Sequence, residues 1–226
     1  MQNEKHQTIN TYQRKIKFMT PEQEQTIKAY NNSAKEFMQK IGILSNYNDT
    51  YDYLIQHLNE NDNVLDLACG PAQISKYIKE KVNVNITGVD LSREMLQLAK
   101  NNVPDGIFIE DSIITFTGNF IYDAVIIGFG IPYLRSAQVI ECIKNSISLV
   151  KTTGYLYLSF MHGNKEGFEK TSFGGDNNFY IFHHDKEDIK NILQENGMKI
   201  EKEYIIDYKE TDGSVTKDII LIGKKE

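Results

Sequence analysis

Apolar residues change their spacing along this chain near residue 60. Before that point they recur every three or four positions, as in Ile27, Tyr30 and Ala34, and this spacing predicts two or three amphipathic helices. After it, short apolar runs alternate with helical segments of about ten to fifteen residues. Alternating strands and helices of this size favour right-handed βαβ crossovers and a parallel sheet covered on both faces.

Five apolar segments predict the strands that precede the C-terminal part of the chain. In chain order they read NVLDLAC, VNITGVD, GIFIED, YDAVIIGF and GYLYLSF. Ser92 is placed to cap the helix after the second strand, and Asp185 and Gly197 are placed to begin and end a later helix. The last segments, KIEKEYIIDYK and VTKDIILIGKK, flank an Asp-Gly turn and predict an antiparallel hairpin. We therefore expect an α/β protein with a doubly wound sheet of about seven strands, mostly parallel, with an antiparallel C-terminal hairpin strand.

Composition and charge narrow the class of protein. The 226 residues are 40% hydrophobic and 25% charged, which is typical of one soluble globular domain. The net charge of −6 makes a nucleic-acid partner unlikely, since nucleic-acid binding depends on clustered Lys and Arg. The two cysteines, Cys69 and Cys142, suggest no disulfide scaffold, and neither the N-terminus nor any other segment predicts a secretion signal or a membrane span. These features favour a cytoplasmic protein.

The stretch NVLDLACGPAQIS carries the first candidate chemistry. Ligands of open α/β sheets bind beyond the carboxyl ends of the strands, and Asp66 lies at the end of the first strand. Gly70 lies in the turn, where a backbone can approach a ligand closely, and a helix beginning near Pro71 would offer free N–H groups. An acceptor carboxylate beside such donors suits an amino-acid zwitterion better than a pyrophosphate.

The next two strands add candidates for the rest of the ligand. Asp90 ends the second strand and is placed to accept both hydroxyls of a ribose. Asp111 follows the third strand and could accept from an exocyclic adenine amine, while Leu91, Met95 and Ile113 could enclose the ring. An amino acid, a ribose and an adenine in this order are the parts of S-adenosylmethionine.

Four segments resemble the motifs of the class I S-adenosylmethionine-dependent methyltransferases: VLDLACGPA, ITGVDLSREMLQLAK, FIEDS and YDAVIIGFGIPYL. The resemblance runs from about residue 26 to the end of the chain, and it implies a Rossmann-like fold in which residues 1–60 form a helical cap over the active site of a cofactor-binding domain at 61–226. The family usually has glycine where Ala68 and Ala72 stand, which predicts a tighter cradle around the ligand. The residues that the resemblance and the pattern together place on the cofactor are Asp66, Ala68, Cys69, Gly70, Asp90, Leu91, Met95, Asp111, Ser112, Gly128 and Phe129.

Ordinary structural roles compete with these assignments. Taken alone, a carboxylate at a strand end is as often a helix cap or a solvated loop residue as a ligand-binding group. Glu110 could take the place of Asp111, and Cys69 fits a small buried turn residue better than a nucleophile, because no base is adjacent to it in sequence. The combined spacing of Asp66 and Asp90 within a strand, turn and helix is what favours the functional interpretation.

The acceptor side is less defined by the sequence. The resemblance implies that Tyr133 lies beside the transferring methyl group, and His162 and His183 flank a glycine-rich, aromatic stretch at about 161–184 that we expect to be a loop or lid near the acceptor. We name these three as candidate catalytic residues, although a structural or solvated histidine is the commoner case. No histidine or cysteine spacing predicts a metal site.

The sequence therefore predicts transfer of a methyl group, in-line, from S-adenosylmethionine to an oxygen, nitrogen or carbon nucleophile of a small-molecule acceptor, with S-adenosylhomocysteine as product. One alternative is a non-catalytic protein that binds the same cofactor. A less favoured alternative is a nicotinamide-dependent oxidoreductase, which would need a third glycine where Gln73 stands and would place Asp66 against a pyrophosphate. The identity of the acceptor, the use of a general base and the oligomeric state stay open.

Overall fold

The computed structural model describes residues 19–40, 45–118, 120–210 and 213–226, so the first 18 residues of the expected cap lie outside the described residues. The helices of the described part are α1 (Pro21–Lys40), α2 (Asn48–Ile55), α3 (Gln73–Lys79), α4 (Arg93–Asn102), α5 (Ser136–Leu149) and α6 (Lys186–Glu195), with a short 3₁₀ helix at Ile131–Tyr133. The strands are β1 (Asn63–Leu67), β2 (Asn85–Asp90), β3 (Ile107–Glu110), β4 (Tyr122–Gly128), β5 (Val150–Met161), β6 (Glu166–Glu169), β7 (Phe179–Phe182), β8 (Met198–Lys209) and β9 (Val215–Lys225).

Seven strands form the main sheet in the order β3-β2-β1-β4-β5-β9-β8. The first five of these pair in parallel, and β9 runs antiparallel to both β5 and β8. The chain adds strands outward from β1 to β3 and then returns to β4 on the other side of β1, so the order reverses between β1 and β4. The predicted doubly wound sheet with an antiparallel C-terminal hairpin is confirmed, and its reversal point is where such sheets bind ligands.

The central strands are buried on both faces. Leu65 and Leu67 of β1 pack into one apolar layer, whereas Val64 packs into the other, and all three are fully buried. A strand covered by helices on both sides needs apolar residues at every position rather than at alternate ones. This requirement explains why NVLDLAC and YDAVIIGF read as continuous apolar runs, and why Asp66 stands out among its neighbours.

The stretch after β5 contains a hairpin that the sequence pattern did not reveal. Its strands β6 and β7 pair antiparallel, with Glu169 opposite Phe179. The hairpin region packs on α1 through aromatic side chains: the rings of Tyr30 and Phe179 are 4.9 Å apart, as are those of Phe37 and Phe173. The two strands have four residues each, too short for a clear period, so the expectation of an irregular loop was wrong in its local structure.

The helix ends follow the sequence signals with one difference. The Ser92 side chain caps α4, the Asp185 side chain caps α6, and Gly197 takes the left-handed conformation just after α6. Helix α3 begins at Gln73, two residues later than expected from Pro71, because Ala72 itself has left-handed backbone angles. The turn between β1 and α3 is therefore longer than the sequence suggested.

Candidate cofactor and acceptor site

A cavity of about 390 Å³ opens at the carboxyl ends of β1, β2 and β4. It lies at the point where the strand order reverses, and side chains from α1, α2 and the β6–β7 region close its other side. Its volume is within the range usual for small-molecule sites. Ten of the eleven residues predicted on the cofactor line this cavity, namely Asp66, Ala68, Cys69, Gly70, Asp90, Leu91, Met95, Ser112, Gly128 and Phe129.

The carboxylate of Asp90 connects the end of β2 to the turn after β1. Its Oδ2 accepts a hydrogen bond from the backbone N–H of Gly70 at 2.8 Å, and its Oδ1 accepts one from the backbone N–H of Ser92 at 2.8 Å. Burial raises the pKa of Asp90, while these backbone hydrogen bonds oppose the rise. A carboxylate has about four lone-pair positions, so this one can also accept from hydroxyl groups of a ligand.

Asp66 is the carboxyl group at the end of β1, and it is almost fully buried, with 1% of its surface exposed. The hydroxyl of Ser75 in α3 donates to its Oδ2 at 2.6 Å. Burial raises the pKa of Asp66 to about 7 despite that hydrogen bond, and the nearby charge of Asp90 adds to the rise. A cationic group of a ligand at this place would favour the ionised carboxylate.

The turn between β1 and α3 uses three left-handed residues at alternate positions. The φ angles are 58° at Ala68, 51° at Gly70 and 58° at Ala72. The positive φ at Ala68 is a feature that the replacement of glycine by alanine in the sequence did not predict. Alanine is strained in this region because its Cβ approaches the following carbonyl oxygen, at a cost of about 1–2 kcal/mol per residue.

Only some of the residues predicted to bind the adenine lie on the cavity. Leu91, Met95 and Ser112 line the cavity, but Asp111 is not among its lining residues. The Oδ1 atom of Asp111 accepts from the backbone N–H of Ser112 at 2.7 Å, and Glu110, its alternative, forms an ion pair with Arg93 at 2.6 Å. Recognition of adenine by Asp111 therefore stays a prediction.

The end of β4 supplies the cavity wall between the cofactor side and the acceptor side. Phe129 is left-handed, with a φ of 53°, and its backbone N–H donates to the Ser159 hydroxyl at 3.0 Å. Gly128 faces the helix α3 so closely that a Cβ atom would lie 2.4 Å from Cδ1 of Ile74. A larger residue at position 128 would therefore require the end of the Ile74 side chain to shift.

Of the three candidate catalytic residues, Tyr133 lines the cavity and the two histidines do not. The hydroxyl of Tyr133 hydrogen-bonds the hydroxyl of Tyr30, which joins the 3₁₀ helix to α1. His183 stands behind the cavity wall, where its Nε2 lies 3.4 Å from Oε1 of Glu169, and this neighbouring carboxylate raises its pKa. His162 lies beside His183, with its carbonyl oxygen 3.4 Å from the Nδ1 of His183. Contact of either histidine with an acceptor stays a prediction.

The sequence carries little indication of one polar pair that lines the cavity. The Tyr47 hydroxyl donates to Oδ2 of Asp218 at 2.6 Å, and both residues line the cavity. Asp218 is 3% exposed, and burial raises its pKa to about 6. The one local sequence signal for Asp218 is that this carboxyl group directly precedes the apolar run IILIG. Tyr47 has no such signal, because its partner Asp218 lies 171 positions away in the sequence.

Among the described residues, no cluster of three or more His, Cys, Asp or Glu side chains is arranged to hold a metal ion. No helix in the same ranges is long and apolar enough to cross a membrane.

Comparisons with known proteins agree with this arrangement. A family model described as a methyltransferase domain matches residues 64–154, which include β1 to β4 and α5. The Bacillus subtilis protein YqeM, whose name describes it as a candidate methyltransferase, is 32% identical over 133 residues, covering 50% of this chain and 53% of that protein. The chain thus spans about half the length of this curated relative.

Solved structures resemble the chain over most of its length. Magnesium protoporphyrin IX methyltransferase from Synechocystis, solved with bound S-adenosylmethionine, has a TM-score of 0.69 at 17% identity and covers 92% of this chain and 99% of its own. The 1,6-didemethyltoxoflavin-N1-methyltransferase of Burkholderia thailandensis has a TM-score of 0.67 at 12% identity, covering 92% and 91%. A methyltransferase from Clostridium acetobutylicum has a TM-score of 0.65 at 18% identity, covering 87% and 98%.

The sheet order, the reversal point and the cavity define a doubly wound α/β protein of the Rossmann-like class. The match to a methyltransferase domain and the similar solved structures narrow this class to one group of folds. The chain has the fold of the class I S-adenosylmethionine-dependent methyltransferases.

Proposed function

We propose that the chain is a methyltransferase that binds S-adenosylmethionine in the cavity described above and releases S-adenosylhomocysteine. The acceptor in this proposal is a small molecule with an oxygen, nitrogen or carbon nucleophile. The cofactor supplies an activated methyl group, so the protein has to align the two reactants and exclude water. The observation that carries the proposal is the pair of carboxyl groups, Asp66 and Asp90, at the ends of adjacent strands and on one cavity.

Each carboxyl group suits a different part of the cofactor. The Asp90 carboxylate has acceptor capacity beyond its backbone donors, which suits the ribose hydroxyls. Asp66 is buried and has a raised pKa, which suits a carboxylate that meets the ammonium group of the methionine part. Leu91 and Met95 provide apolar contacts for the adenine, with Asp111 as the predicted acceptor for its amine.

The N-terminal segment 1–60 is the cap in this proposal, and 61–226 is the cofactor-binding domain. Support comes from α1, which packs against β7 and α4 and contributes Gln23, Thr26 and Tyr30 to the cavity lining. The segment at 161–184 packs against α1 and contributes Glu169 and Phe173 to the same wall. In this proposal the two elements together act as the lid over the acceptor, as mobile elements do in many enzymes.

A small-molecule acceptor is favoured by the size and the walls of the cavity. Aromatic rings contribute much of the acceptor side, including Tyr30, Tyr47 and Tyr133. The Burkholderia protein with a similar fold was solved with 1,6-didemethyltoxoflavin and S-adenosylhomocysteine bound. The net charge of −6 disfavours nucleic acid as acceptor, and a cytoplasmic location belongs to the same proposal.

Turnover separates this proposal from a non-catalytic protein that binds the same cofactor. The experiment incubates the protein with methyl-labelled S-adenosylmethionine and a metabolite extract, and it follows labelled products by mass spectrometry. We expect label in a small-molecule product with wild type and a loss of label with Asp90→Ala. Cofactor binding without any labelled product would favour the non-catalytic alternative.

A further inference from the structure

Two buried carboxyl groups line the cavity from strands β1 and β9, which are separated in the sheet by β4 and β5. Asp66 and Asp218 expose only 1% and 3% of their surface, and neither forms an ion pair with a described Lys or Arg side chain. Each has a hydroxyl donor instead, Ser75 for Asp66 and Tyr47 for Asp218. A buried carboxylate without a cation is costly, so each of these positions favours a ligand that brings positive charge.

Under the proposed function, the ammonium group of the methionine part binds next to Asp66. The cofactor provides no corresponding cationic group for Asp218. Asp218 lies in β9, between β5 and β8, and faces the cavity next to Tyr47. The ring of Tyr47 packs edge-on against that of Phe129, with the centroids 5.5 Å apart, at the end of β4. Asp218 therefore stands next to the wall where the cofactor side meets the acceptor side.

The acceptor half of the cavity has an acidic character. Glu210 lines it together with Asp218, and among the described lining residues the only Lys or Arg is Lys170, which is exposed. Glu169 also lines it, but its carboxylate pairs with Lys165 at 2.8 Å. The charged and titratable groups that act on Asp218 are Tyr47, Glu210 and His183. An anionic acceptor would meet repulsion here, whereas a cation would find a buried carboxylate and aromatic walls.

We propose that the methyl acceptor is a small aromatic or apolar amine, and that the carboxylate of Asp218, positioned by the Tyr47 hydroxyl, binds its ammonium group and takes up one proton. This inference rests on the proposed function and specifies its acceptor. The amine arrives with three N–H protons and gives one to Asp218, which leaves a lone pair on nitrogen. That lone pair forms the new N–C bond while the methyl–sulfur bond breaks and its electron pair stays on sulfur. The methylated product leaves as an ammonium ion, and Asp218 returns its proton to the solvent.

The test uses two matched sets of probe molecules on protein saturated with S-adenosylhomocysteine. One set is 2-phenylethylamine, 2-phenylethanol and phenylacetate, and the other is tryptamine, tryptophol and indole-3-acetate. Each set keeps the ring and changes the charge from positive to neutral to negative. Calorimetry measures the affinity, and titrations near pH 6 in buffers of different ionisation enthalpy measure the protons exchanged on binding.

We expect the amine of at least one set to bind at least about tenfold more tightly than its alcohol, and the acid to bind weakest. Amine binding to wild type should release protons near pH 6, because the ammonium group favours the ionised form of Asp218. Asp218→Asn should lose the tenfold preference and the proton release. Asp207→Asn is the matched control, because Asp207 lies on the neighbouring strand β8 and pairs with Lys217 on the surface.

A second variant keeps the test decisive if Asp218→Asn does not fold. Tyr47→Phe retains the Asp218 carboxyl group but removes the hydrogen bond that lowers its pKa, so amine binding should release more protons than in wild type. Equal affinities for amine and alcohol, a preference for the acid, or no amine binding to protein that binds S-adenosylhomocysteine would overturn the inference alone. Failure of S-adenosylhomocysteine to bind would overturn the proposed function and the inference with it.

Discussion

The turn after β1 combines strain with hydrogen bonding at the scale of single residues. Asp90 accepts the N–H of Gly70, so the second strand fixes the turn that follows the first. Ala68 and Ala72 hold left-handed angles on either side of that glycine, where a residue without Cβ would be unstrained. The surrounding contacts therefore maintain a backbone shape that the local sequence disfavours.

Replacing these alanines should measure the strain. Ala68→Gly relieves about 1–2 kcal/mol of left-handed strain and loses about 0.4–1 kcal/mol through the greater freedom of the unfolded chain. We expect a net gain of about 0.5–1 kcal/mol in the free energy of unfolding, measured by urea denaturation. Ala72→Gly is the comparison, because it also removes a fully buried methyl group and should change the stability little. A loss of stability in Ala68→Gly would contradict a left-handed residue 68.

The buried Asp66 should make the stability of the ligand-free protein depend on pH. Its pKa is about 7 in the folded protein, above the usual value of 3.8, so the folded state binds more protons than the unfolded state between about pH 4 and 7. The contribution of this group to the free energy of unfolding is therefore greatest at low pH and is lost as the pH rises towards 7, by about 1.4 kcal/mol for each pKa unit of the shift.

Asp66→Asn isolates this contribution, because every other titrating group is common to both proteins. We expect the variant to gain stability relative to wild type between pH 5 and pH 8 in parallel urea denaturation experiments. A difference between the two proteins that stays constant across this range would mean that Asp66 is ionised throughout.

At the scale of elements, α1 and the hairpin β6–β7 form one wall of the cavity. Gln23 of α1 donates through its Nε2 to the backbone carbonyl of Tyr133 at 2.8 Å and to Oε1 of Gln138 at 3.0 Å. The hydroxyls of Tyr30 and Tyr133 hydrogen-bond each other. These contacts join α1 to the segment after β4, so the position of the cap depends on the same residues that line the acceptor side.

A double-mutant cycle should detect the energetic coupling between the hydroxyls of Tyr30 and Tyr133. Tyr30→Phe and Tyr133→Phe each remove one hydroxyl and leave the other without this partner, so each should cost about 0.5–1.5 kcal/mol of unfolding free energy. The double variant should cost no more than the costlier single variant, giving a coupling of about 1 kcal/mol. Urea denaturation of the four proteins measures it, and strictly additive costs would show that the two hydroxyls act independently.

Across the whole molecule, the sequence predicts the cofactor half better than the acceptor half. Each strand of the main sheet has a local apolar signal, and parallel pairing brings the strand ends to one edge, so Asp66 and Asp90 could be predicted from their positions alone. The acceptor half is made of contacts between distant segments. Tyr30 and Tyr133 are separated by 103 positions and Tyr47 and Asp218 by 171, and no local pattern specifies such pairs.

The sequence also did not predict the local backbone angles of the turn after β1. Ala68 and Ala72 stand where the family pattern usually has glycine. Nothing in that difference indicated that both alanines would adopt left-handed angles. The two short strands of the β6–β7 hairpin were hidden because their burial depends on the aromatic contacts with α1, which are themselves long-range. Both features belong to the cavity, where function and tertiary contacts override local preference.

Calorimetric binding of S-adenosylmethionine and S-adenosylhomocysteine tests the central claim most directly. Wild type should bind both ligands with a stoichiometry of about one per chain, as expected when each occupies the cavity at the strand ends. Asp90→Ala should bind at least about tenfold more weakly, since it loses the acceptors for the ribose hydroxyls. Asp105→Ala is the control, because that exposed carboxylate pairs with Lys79 and does not line the cavity, and it should bind as wild type does. Failure of either ligand to bind the wild type at millimolar concentration, or equal binding by a folded Asp90→Ala variant, would contradict the account.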